Sequence, residues 1–134
     1  MARIMIAEDE AGVREFVARA LAHDGHQVTV AEDGLEALQA MAGDRFDLLL
    51  TDIVMPGLDG IALALKAGSL YPEMRILLMS GYAAERQRAH NLEALVHRVV
   101  AKPFSLREIC EAVRQTLRPG SNPAPMEGAA ARCG

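Results

Sequence analysis

Polar side chains follow four of the five short apolar runs in this sequence, each at the point where the run ends. In chain order they are Glu8, Asp9, Glu10, Asp52, Ser80 and Lys102. If those runs are neighbouring strands of a parallel sheet, the groups meet at one edge of it. Carboxylates a few ångström apart repel by roughly 1 kcal/mol in water and more in a partly buried site. One ammonium cannot neutralise such a cluster, so the pattern predicts a bound cation, and hard oxygen ligands favour Mg²⁺.

A carboxylate beside Mg²⁺ can act as a nucleophile toward a phosphoryl group. Asp52 stands alone at the end of its run, so we expect it to accept that group. Glu8 and Asp9 are expected to bind the metal ion, with Asp9 contacting the ion directly and Glu8 through water. Phosphoryl transfer needs mainly positioning and charge neutralisation. Ser80 and Lys102 are therefore each expected to contact a phosphoryl oxygen.

The elements that must hold these groups alternate between strands and helices. The predicted strands are Ile4–Ala7, Gln27–Val30, Asp47–Thr51, Arg75–Ser80 and Arg98–Ala101, and stretches with helical periodicity separate them. One of these stretches, near Ala83–Leu92, is mostly polar and is expected to pack loosely. Three of the strands lack the alternation of a strand that faces water. Together these patterns predict an α/β fold with a parallel sheet between two helix layers.

The other helical stretches each carry one apolar face. These faces are Val13, Phe16, Val17, Ala20 and Leu21; Leu35, Leu38, Met41 and Ala42; Ile61, Ala64, Leu65 and Gly68; and Leu106, Ile109, Cys110, Val113 and Leu117. Capping-box spacing at Asp33 with Glu36 and at Ser105 with Glu108 predicts two helix starts. Asp59 is expected only to cap the third helix.

The composition excludes several classes of protein. The chain has 134 residues and a formal net charge of -4, so it carries no electrostatic footprint for nucleic acid or an anionic membrane. No apolar run reaches the roughly 18 residues of a membrane span, and the first residues lack the apolar core of a signal peptide. We expect Cys110 and Cys133 to be free thiols in a reducing cytoplasm. The histidines do not stand at ligand spacing, and the sequence lacks the P-loop motif.

The composition also divides the chain into two parts. Residues 1–118 contain every predicted strand and helix, whereas residues 119–134 are dominated by proline, glycine and small side chains. We therefore expect one domain over 1–118, followed by a disordered tail over 119–134.

Four motifs, in order, resemble the receiver domain of two-component response regulators: "AEDE", "LLLTDIVMPGLDG", "LLMSGYA" and "AKPF". The resemblance covers residues 2–118. It implies a flavodoxin-like (βα)5 fold with strand order 2-1-3-4-5. It implies Mg²⁺-dependent transfer to Asp52 from a phosphohistidine on a histidine kinase or histidine phosphotransferase. It also implies that the Val54 backbone carbonyl is a metal ligand, and that a cis peptide joins Lys102 to Pro103.

The same resemblance implies a switch region formed by Ser80, Tyr82, Val99 and Pro103. Ser80 stands where threonine is more frequent, which keeps the hydroxyl. Val99 stands where many receivers carry a rotating tyrosine or phenylalanine. Coupling between phosphorylation and the binding face must therefore run through Ser80 and residues 80–92 instead. We expect Ser80 to move toward the phosphoryl group and to reshape the face made by the fourth helix, fifth strand and fifth helix.

We expect no output domain beyond the receiver-like part, and stand-alone receivers act by binding another protein. We therefore expect a cytoplasmic, phosphorylation-switched binding module rather than an enzyme. Within the family, the sequence resembles those of single-domain regulators of alphaproteobacteria. That likeness implies an adaptor for the ClpXP protease that binds ClpX in cell-cycle control and is recruited to a cell pole. The alternative is a phosphate shuttle, or a module that binds a kinase or a motility component.

Two further classes fit the residues less well. Haloacid-dehalogenase phosphatases use Asp-x-Asp, with the second acid as general acid and base, whereas Val54 stands two residues after Asp52. The missing proton shuttle favours a long-lived acyl phosphate over turnover. A DNA-binding regulator is disfavoured by the net charge of -4 and by the lack of an output domain.

Overall fold

Five short apolar runs become the strands of one parallel sheet in the computed structural model, which describes residues 1–81 and 98–118. In chain order, the elements within these residues are β1 Arg3–Ala7, α1 Ala11–His23, β2 Gln27–Ala31, α2 Gly34–Ala42, β3 Leu48–Asp52, α3 Gly60–Leu70, β4 Arg75–Ser80, β5 Arg98–Ala101 and α4 Leu106–Leu117. The strand order is β2-β1-β3-β4-β5, and neighbouring strands pair in parallel. The predicted flavodoxin-like architecture is confirmed.

Residues 82–97 and 119–134 lie outside the described part of the chain. Four predictions fall on them: the loosely packed helix near Ala83–Leu92, the switch role of Tyr82, the free thiol of Cys133 and the tail. Elsewhere the strand bounds agree with prediction to within one residue, and β3 is shifted one residue toward its carboxyl end. None of the helices in residues 1–81 and 98–118 combines the length and the apolar character needed to cross a bilayer.

Alternate residues of the central strands face opposite helix layers. On one side, the buried cluster consists mainly of Ile4, Ile6, Leu48, Leu50, Leu77 and Met79 from the sheet with Val17, Leu21, Ile109 and Val113 from α1 and α4. On the other side, Met5, Ala7 and Leu49 pack with Ala37, Met41, Leu63 and Ala67 from α2 and α3. β3 is buried along its whole length, as expected for a strand covered on both faces.

The predicted apolar faces of the helices are wrong at five positions. Phe16, Leu35, Ala42, Leu65 and Leu106 are exposed. The buried face of α2 is made by Gly34, Ala37 and Met41, and that of α3 by Gly60, Leu63, Ala64 and Ala67. A Cβ on Gly34 would lie 2.5 Å from the carbonyl oxygen of Leu58. The close approach of the Gly34 backbone to Leu58 therefore sets the rotation of α2 about its axis. This rotation turns Leu35 toward solvent.

Side-chain caps begin three of the four helices in the described residues. Asp33, Asp59 and Ser105 accept hydrogen bonds from backbone N–H groups of α2, α3 and α4, respectively. The predicted capping box of Ser105 with Glu108 is complete. In α2, however, the Glu36 carboxylate accepts from the Glu32 N–H, with an N···O distance of 2.5 Å. The predicted box there is therefore only half formed.

Candidate phosphoryl and metal site

The carboxyl ends of four strands meet at one edge of the sheet. In the parallel register, Ala7 pairs with Thr51, Asp52 with Met79 and Ser80 with Ala101. The residues that end or follow these strands are therefore neighbours, although they are far apart in sequence. Of the six side chains that the sequence placed at strand ends, the structure brings Glu8, Asp9, Asp52 and Lys102 together. Ser80 ends the neighbouring strand β4, and Glu10 follows Asp9 in the loop after β1.

Three carboxylates form the acidic part of this site. Oxygens of Glu8, Asp9 and Asp52 all lie within 4.8 Å of one another, and among the described residues this is the acidic group suited to hold a metal ion. Glu8 is fully buried and Asp52 nearly so, whereas Asp9 is exposed. Mg²⁺ binds one or two carboxylates and keeps several waters. A carboxylate cluster that is buried on one side and open on the other fits that requirement.

Lys102 supplies the positive charge within the cluster. Its Nζ lies 3.1 Å from Glu8 Oε1 and 3.0 Å from Asp52 Oδ1. Burial by itself lowers the pKa of Lys102, but the hydrogen bond and charge of Asp52 and the charge of Glu8 outweigh it. The pKa of Lys102 is therefore raised above its usual value. The ammonium is charged throughout the physiological pH range.

Both oxygens of the Glu8 side chain have partners. One is bound to Lys102, and the other accepts the Glu10 N–H with an N···O distance of 3.1 Å. Burial raises the pKa of Glu8, and the nearby charge of Asp52 adds to the effect, while the Glu10 N–H and Lys102 oppose it. Burial thus works against the ionised form of Glu8, which the two hydrogen bonds favour.

The end of β3 is held by contacts to its backbone. The Thr51 hydroxyl donates to the Asp52 carbonyl oxygen at 2.9 Å, and the Ile53 N–H donates to Met79 at 3.1 Å. A Cβ on Gly60, the first residue of α3, would lie 1.9 Å from that same Asp52 carbonyl oxygen. Only glycine allows α3 to start this close to the candidate acceptor.

The predicted switch residues occupy different surroundings. Ser80 is fully buried, and its carbonyl accepts the Lys102 N–H at 2.7 Å. Val99 lies in β5 and packs against the cluster of Ile53, Ala64, Ile76 and Leu78. Pro103 is exposed, and the cis peptide expected between Lys102 and Pro103 is present. Val54, the expected carbonyl ligand, is about half exposed beside the acidic group.

A cavity of about 670 Å³ opens directly onto the site. Its lining includes the charged residues Asp9, Asp52 and Lys102 and the apolar residues Val13, Phe16, Pro103 and Phe104. The Phe16 and Phe104 rings lie 6.4 Å apart between centroids, and Phe16 is 41% exposed. A ligand at Asp52 would therefore share the cavity with charged groups and with an exposed aromatic ring.

The chain belongs to the response regulator receiver domain family, whose family model matches residues 4–114. Receiver domains are signalling modules rather than catalysts, and they bind Mg²⁺ at an acidic pocket of the kind that Glu8, Asp9 and Asp52 form here. The family predicted from the four motifs is therefore confirmed. Membership of this family implies a phosphodonor partner, a kinase or phosphotransferase of a two-component system.

Individual relatives show the same likeness over 87% of this chain. The response regulator receiver protein CpdR of Brucella abortus is 37% identical, and the match covers 98% of its length. The response regulator MprA of Mycobacterium ulcerans is 35% identical, but this chain spans only about half of its length. The response regulator TrrA of Thermotoga maritima, solved in complex with Mg²⁺ and BeF, is 30% identical with a TM-score of 0.80, and all of its chain is covered.

Proposed function

We propose that this protein is a phosphorylation-switched response regulator whose phosphoryl acceptor is Asp52. The observation that carries the proposal is the Lys102 ammonium, which lies 3.0 Å from Asp52 and 3.1 Å from the buried Glu8. Beside it stands the exposed carboxylate of Asp9. This arrangement leaves excess negative charge on the side open to solvent, where a divalent cation and a phosphoryl group would bind.

In the proposed reaction, an Asp52 carboxylate oxygen bonds to phosphorus as the bond from phosphorus to the donor imidazole nitrogen breaks. Mg²⁺, held by Asp9, Asp52 and the Val54 carbonyl and through water by Glu8, would supply neutralising charge for the phosphoryl oxygens. Lys102 already contacts Asp52 and needs little movement to reach a phosphoryl oxygen. The Ser80 hydroxyl would donate to another, so each group serves positioning or charge neutralisation.

The donor would approach across the apolar rim of the cavity. Phe16, Phe104 and Leu106 border or adjoin the opening, and Phe16 and Leu106 are 41% and 51% exposed. Exposed apolar side chains grouped beside a polar site are typical of protein-binding surfaces. A histidine kinase or histidine phosphotransferase could bury this rim while it presents its phosphohistidine to Asp52.

Intact-mass analysis after incubation with acetyl phosphate or phosphoramidate, with and without Mg²⁺, tests the proposal. Wild type is expected to gain one phosphoryl group only when Mg²⁺ is present, and Asp52→Asn is expected to gain none. Asp44→Asn is the matched control, because it removes a carboxylate that pairs with Arg3 at the other end of the molecule. A gain in Asp52→Asn equal to that of wild type would contradict the proposed acceptor.

The output we propose is a change in protein binding. The Ser80 carbonyl accepts the N–H of Lys102, the residue that follows β5, so we expect movement of the Ser80 hydroxyl toward a phosphoryl group to shift β5 and Pro103. Val99 is small and packed against aliphatic neighbours, which favours a switch without a rotating ring. We also propose a switch role for Tyr82, which follows Ser80 by two residues in the sequence.

We further propose that the partner is ClpX, with the protein acting as an adaptor for ClpXP proteolysis in the cytoplasm and at a cell pole. Support comes from the resemblance of the sequence to single-domain adaptors, and from the match to CpdR over 98% of its length. Residues 1–118 would form the receiver, and residues 119–134 a tail.

Pull-down of ClpX by the full chain, before and after phosphorylation, tests the adaptor role. We expect ClpX to be retained by the unphosphorylated chain and by Asp52→Asn, and to be released after phosphorylation of wild type. Retention that is equal in both states of wild type would contradict a switch. No retention in either state would contradict the choice of ClpX as partner.

A further inference from the structure

The start of α1 lacks the side-chain cap that the other three helices in the described residues have. Its N-cap residue, Glu10, makes no side-chain cap, and its first turn contains no acidic residue. By contrast, α2 and α4 each have a side-chain cap and a glutamate in the first turn. Instead, α1 carries the cation Arg14 at its fourth residue, near the positive end of the helix dipole, where a positive charge is unfavourable.

The contacts of Arg14 account for this placement. Its guanidinium Nη1 donates to the carbonyl oxygen of Glu8 at 2.8 Å, and a longer contact of 3.5 Å reaches the carbonyl of Asp9. Its own backbone N–H donates to the Glu10 carbonyl at 2.9 Å. The Arg14 side chain thus contacts two successive carbonyl groups of the loop that carries the acidic cluster.

Two backbone N–H groups of the loop are also hydrogen-bonded. The Glu8 N–H donates to Ala31 in β2 at 3.1 Å, and the Glu10 N–H donates to the Glu8 side chain at 3.1 Å. Neither contact fixes the peptide between Glu8 and Asp9. That peptide sets the direction of the exposed Asp9 side chain. Its carbonyl oxygen, which belongs to Glu8, accepts a hydrogen bond from the Arg14 side chain.

We infer that Arg14 is a positioning residue for the cation site. It acts through the backbone of Glu8 and Asp9 and does not contact the cation, and the inference rests on the proposed Mg²⁺-dependent function. Groups that orient the ligands of a metal typically change metal affinity by about 10–100-fold when they are removed. A purely electrostatic role predicts the opposite sign, because removing a positive charge beside the site would tighten Mg²⁺ binding.

The test compares Arg14→Met and Arg14→Lys with wild type by calorimetric titration of the full chain with Mg²⁺. Arg14→Met is expected to bind Mg²⁺ about tenfold more weakly, and Arg14→Lys, which keeps the charge and one donor, is expected to fall between the two. Arg19→Met is the matched control, since Arg19 is exposed on the same helix, and its affinity should equal that of wild type. Tighter binding by Arg14→Met, or unchanged binding by both variants, would overturn the inference.

Hydrogen exchange of the metal-free proteins provides a second readout that does not depend on phosphorylation. The amides of Glu8 and Glu10 should exchange faster in Arg14→Met than in wild type, while amides in β3 and β4 should not change. Equal exchange at Glu8 and Glu10 would overturn the inference. If wild type binds no Mg²⁺ and gains no phosphoryl group, the proposed function fails, and the exchange comparison still decides whether Arg14 holds the loop.

Discussion

Ion pairs lie at both ends of the sheet, but in different surroundings. At the amino ends of the strands, Arg114 Nε donates to Asp24 at 3.0 Å, and Arg3 pairs with Asp44. In each pair the arginine side chain is largely exposed. At the carboxyl ends, Lys102 joins a Glu8 side chain that is 0% exposed to an Asp52 side chain that is 9% exposed. Asp9 stands beside them.

The difference is one of charge balance as well as burial. Each arginine at the amino end meets one main carboxylate in contact with water, an arrangement that contributes little to stability. At the carboxyl end, three carboxylates share one ammonium, and burial makes that excess costly. Folding alone does not favour such a cluster. A site that recruits a cation and then a phosphoryl group does require it, so the comparison separates residues kept for structure from residues kept for chemistry.

The largest expected effect follows from Gly60→Ala. The new methyl group would lie 1.9 Å from the Asp52 carbonyl oxygen. A backbone oxygen cannot move aside as the end of a flexible side chain could. We expect a loss of about 3 kcal/mol in the free energy of unfolding, at the upper end for overpacked sites. Phosphorylation of the remaining folded protein should also slow, because the acceptor strand must shift. Urea denaturation measures the first effect and intact mass the second.

Gly12→Ala is the matched control for that substitution. A Cβ on Gly12 meets nothing within 4 Å, and Gly12 lies within α1, where alanine is favoured over glycine by up to roughly 1 kcal/mol. We expect this variant to be unchanged or slightly more stable. Equal stability of Gly60→Ala and Gly12→Ala would show that the start of α3 does not depend on the close approach to Asp52.

A smaller loss is expected for Lys102→Met. Breaking a fully buried ion pair costs roughly 3–5 kcal/mol, and Lys102 is 20% exposed, so we expect about 2 kcal/mol. The variant leaves Glu8 and Asp52 without their shared cation. Added Mg²⁺ should therefore stabilise Lys102→Met more than it stabilises wild type, as a larger shift of the thermal midpoint.

The corresponding change at the other end of the sheet is Arg114→Met. The pair with Asp24 lies near the surface, so we expect a change close to the error of the measurement and no dependence on Mg²⁺. If Arg114→Met destabilised the protein as much as Lys102→Met, the distinction between the two ends would be lost. The same would follow if Mg²⁺ shifted the midpoints of both variants equally.

The smallest effect is a pH dependence at the amino end, where His26 accepts the Ala2 N–H on Nδ1 at 3.1 Å. Burial lowers the pKa of His26, although the Asp24 carboxylate opposes the shift. The unfolded chain therefore binds the proton more readily, so stability is lost as pH falls below about 6.5. The charged groups that act on His26 are Asp24, Arg114 and the amino terminus.

Urea denaturation at neutral and mildly acidic pH measures this dependence. His26→Gln should flatten the decline in stability on the acid side, because glutamine has no proton to gain. His23→Gln, at the exposed end of α1, is the control and should keep the decline of wild type. A decline of equal steepness in wild type and His26→Gln would exclude His26 as its source.

Sequence reasoning could place the side chains of the site because strand ends are visible in the pattern. An apolar run followed by Asp52 or Lys102 marks the end of a strand, and parallel pairing brings such ends together. The same reasoning could not find Gly60 or Arg14. Their contacts are to carbonyl oxygens of other residues, and every residue has a carbonyl group, so residue type gives no signal.

The helix faces show a second limit of the same reasoning. Periodicity ranks positions by hydrophobicity, so Leu35 and Leu65 were assigned to the core. In the structure, α2 and α3 instead turn Gly34 and Gly60 toward the neighbouring backbone, and the leucines are left exposed. Backbone approach therefore overrode side-chain hydrophobicity at these positions, which a pattern of apolar residues cannot express.

The most direct test of the account is to locate the phosphoryl group after reaction with a small donor and Mg²⁺. Borohydride reduction converts an aspartyl phosphate to homoserine, which tandem mass spectrometry assigns to one residue. We expect homoserine at residue 52, with the carboxyl groups of Glu8 and Asp9 unchanged. Reduction at Glu8 or Asp9, or a phosphorylated chain with intact Asp52, would contradict the proposal that the shared Lys102 marks Asp52 as the acceptor.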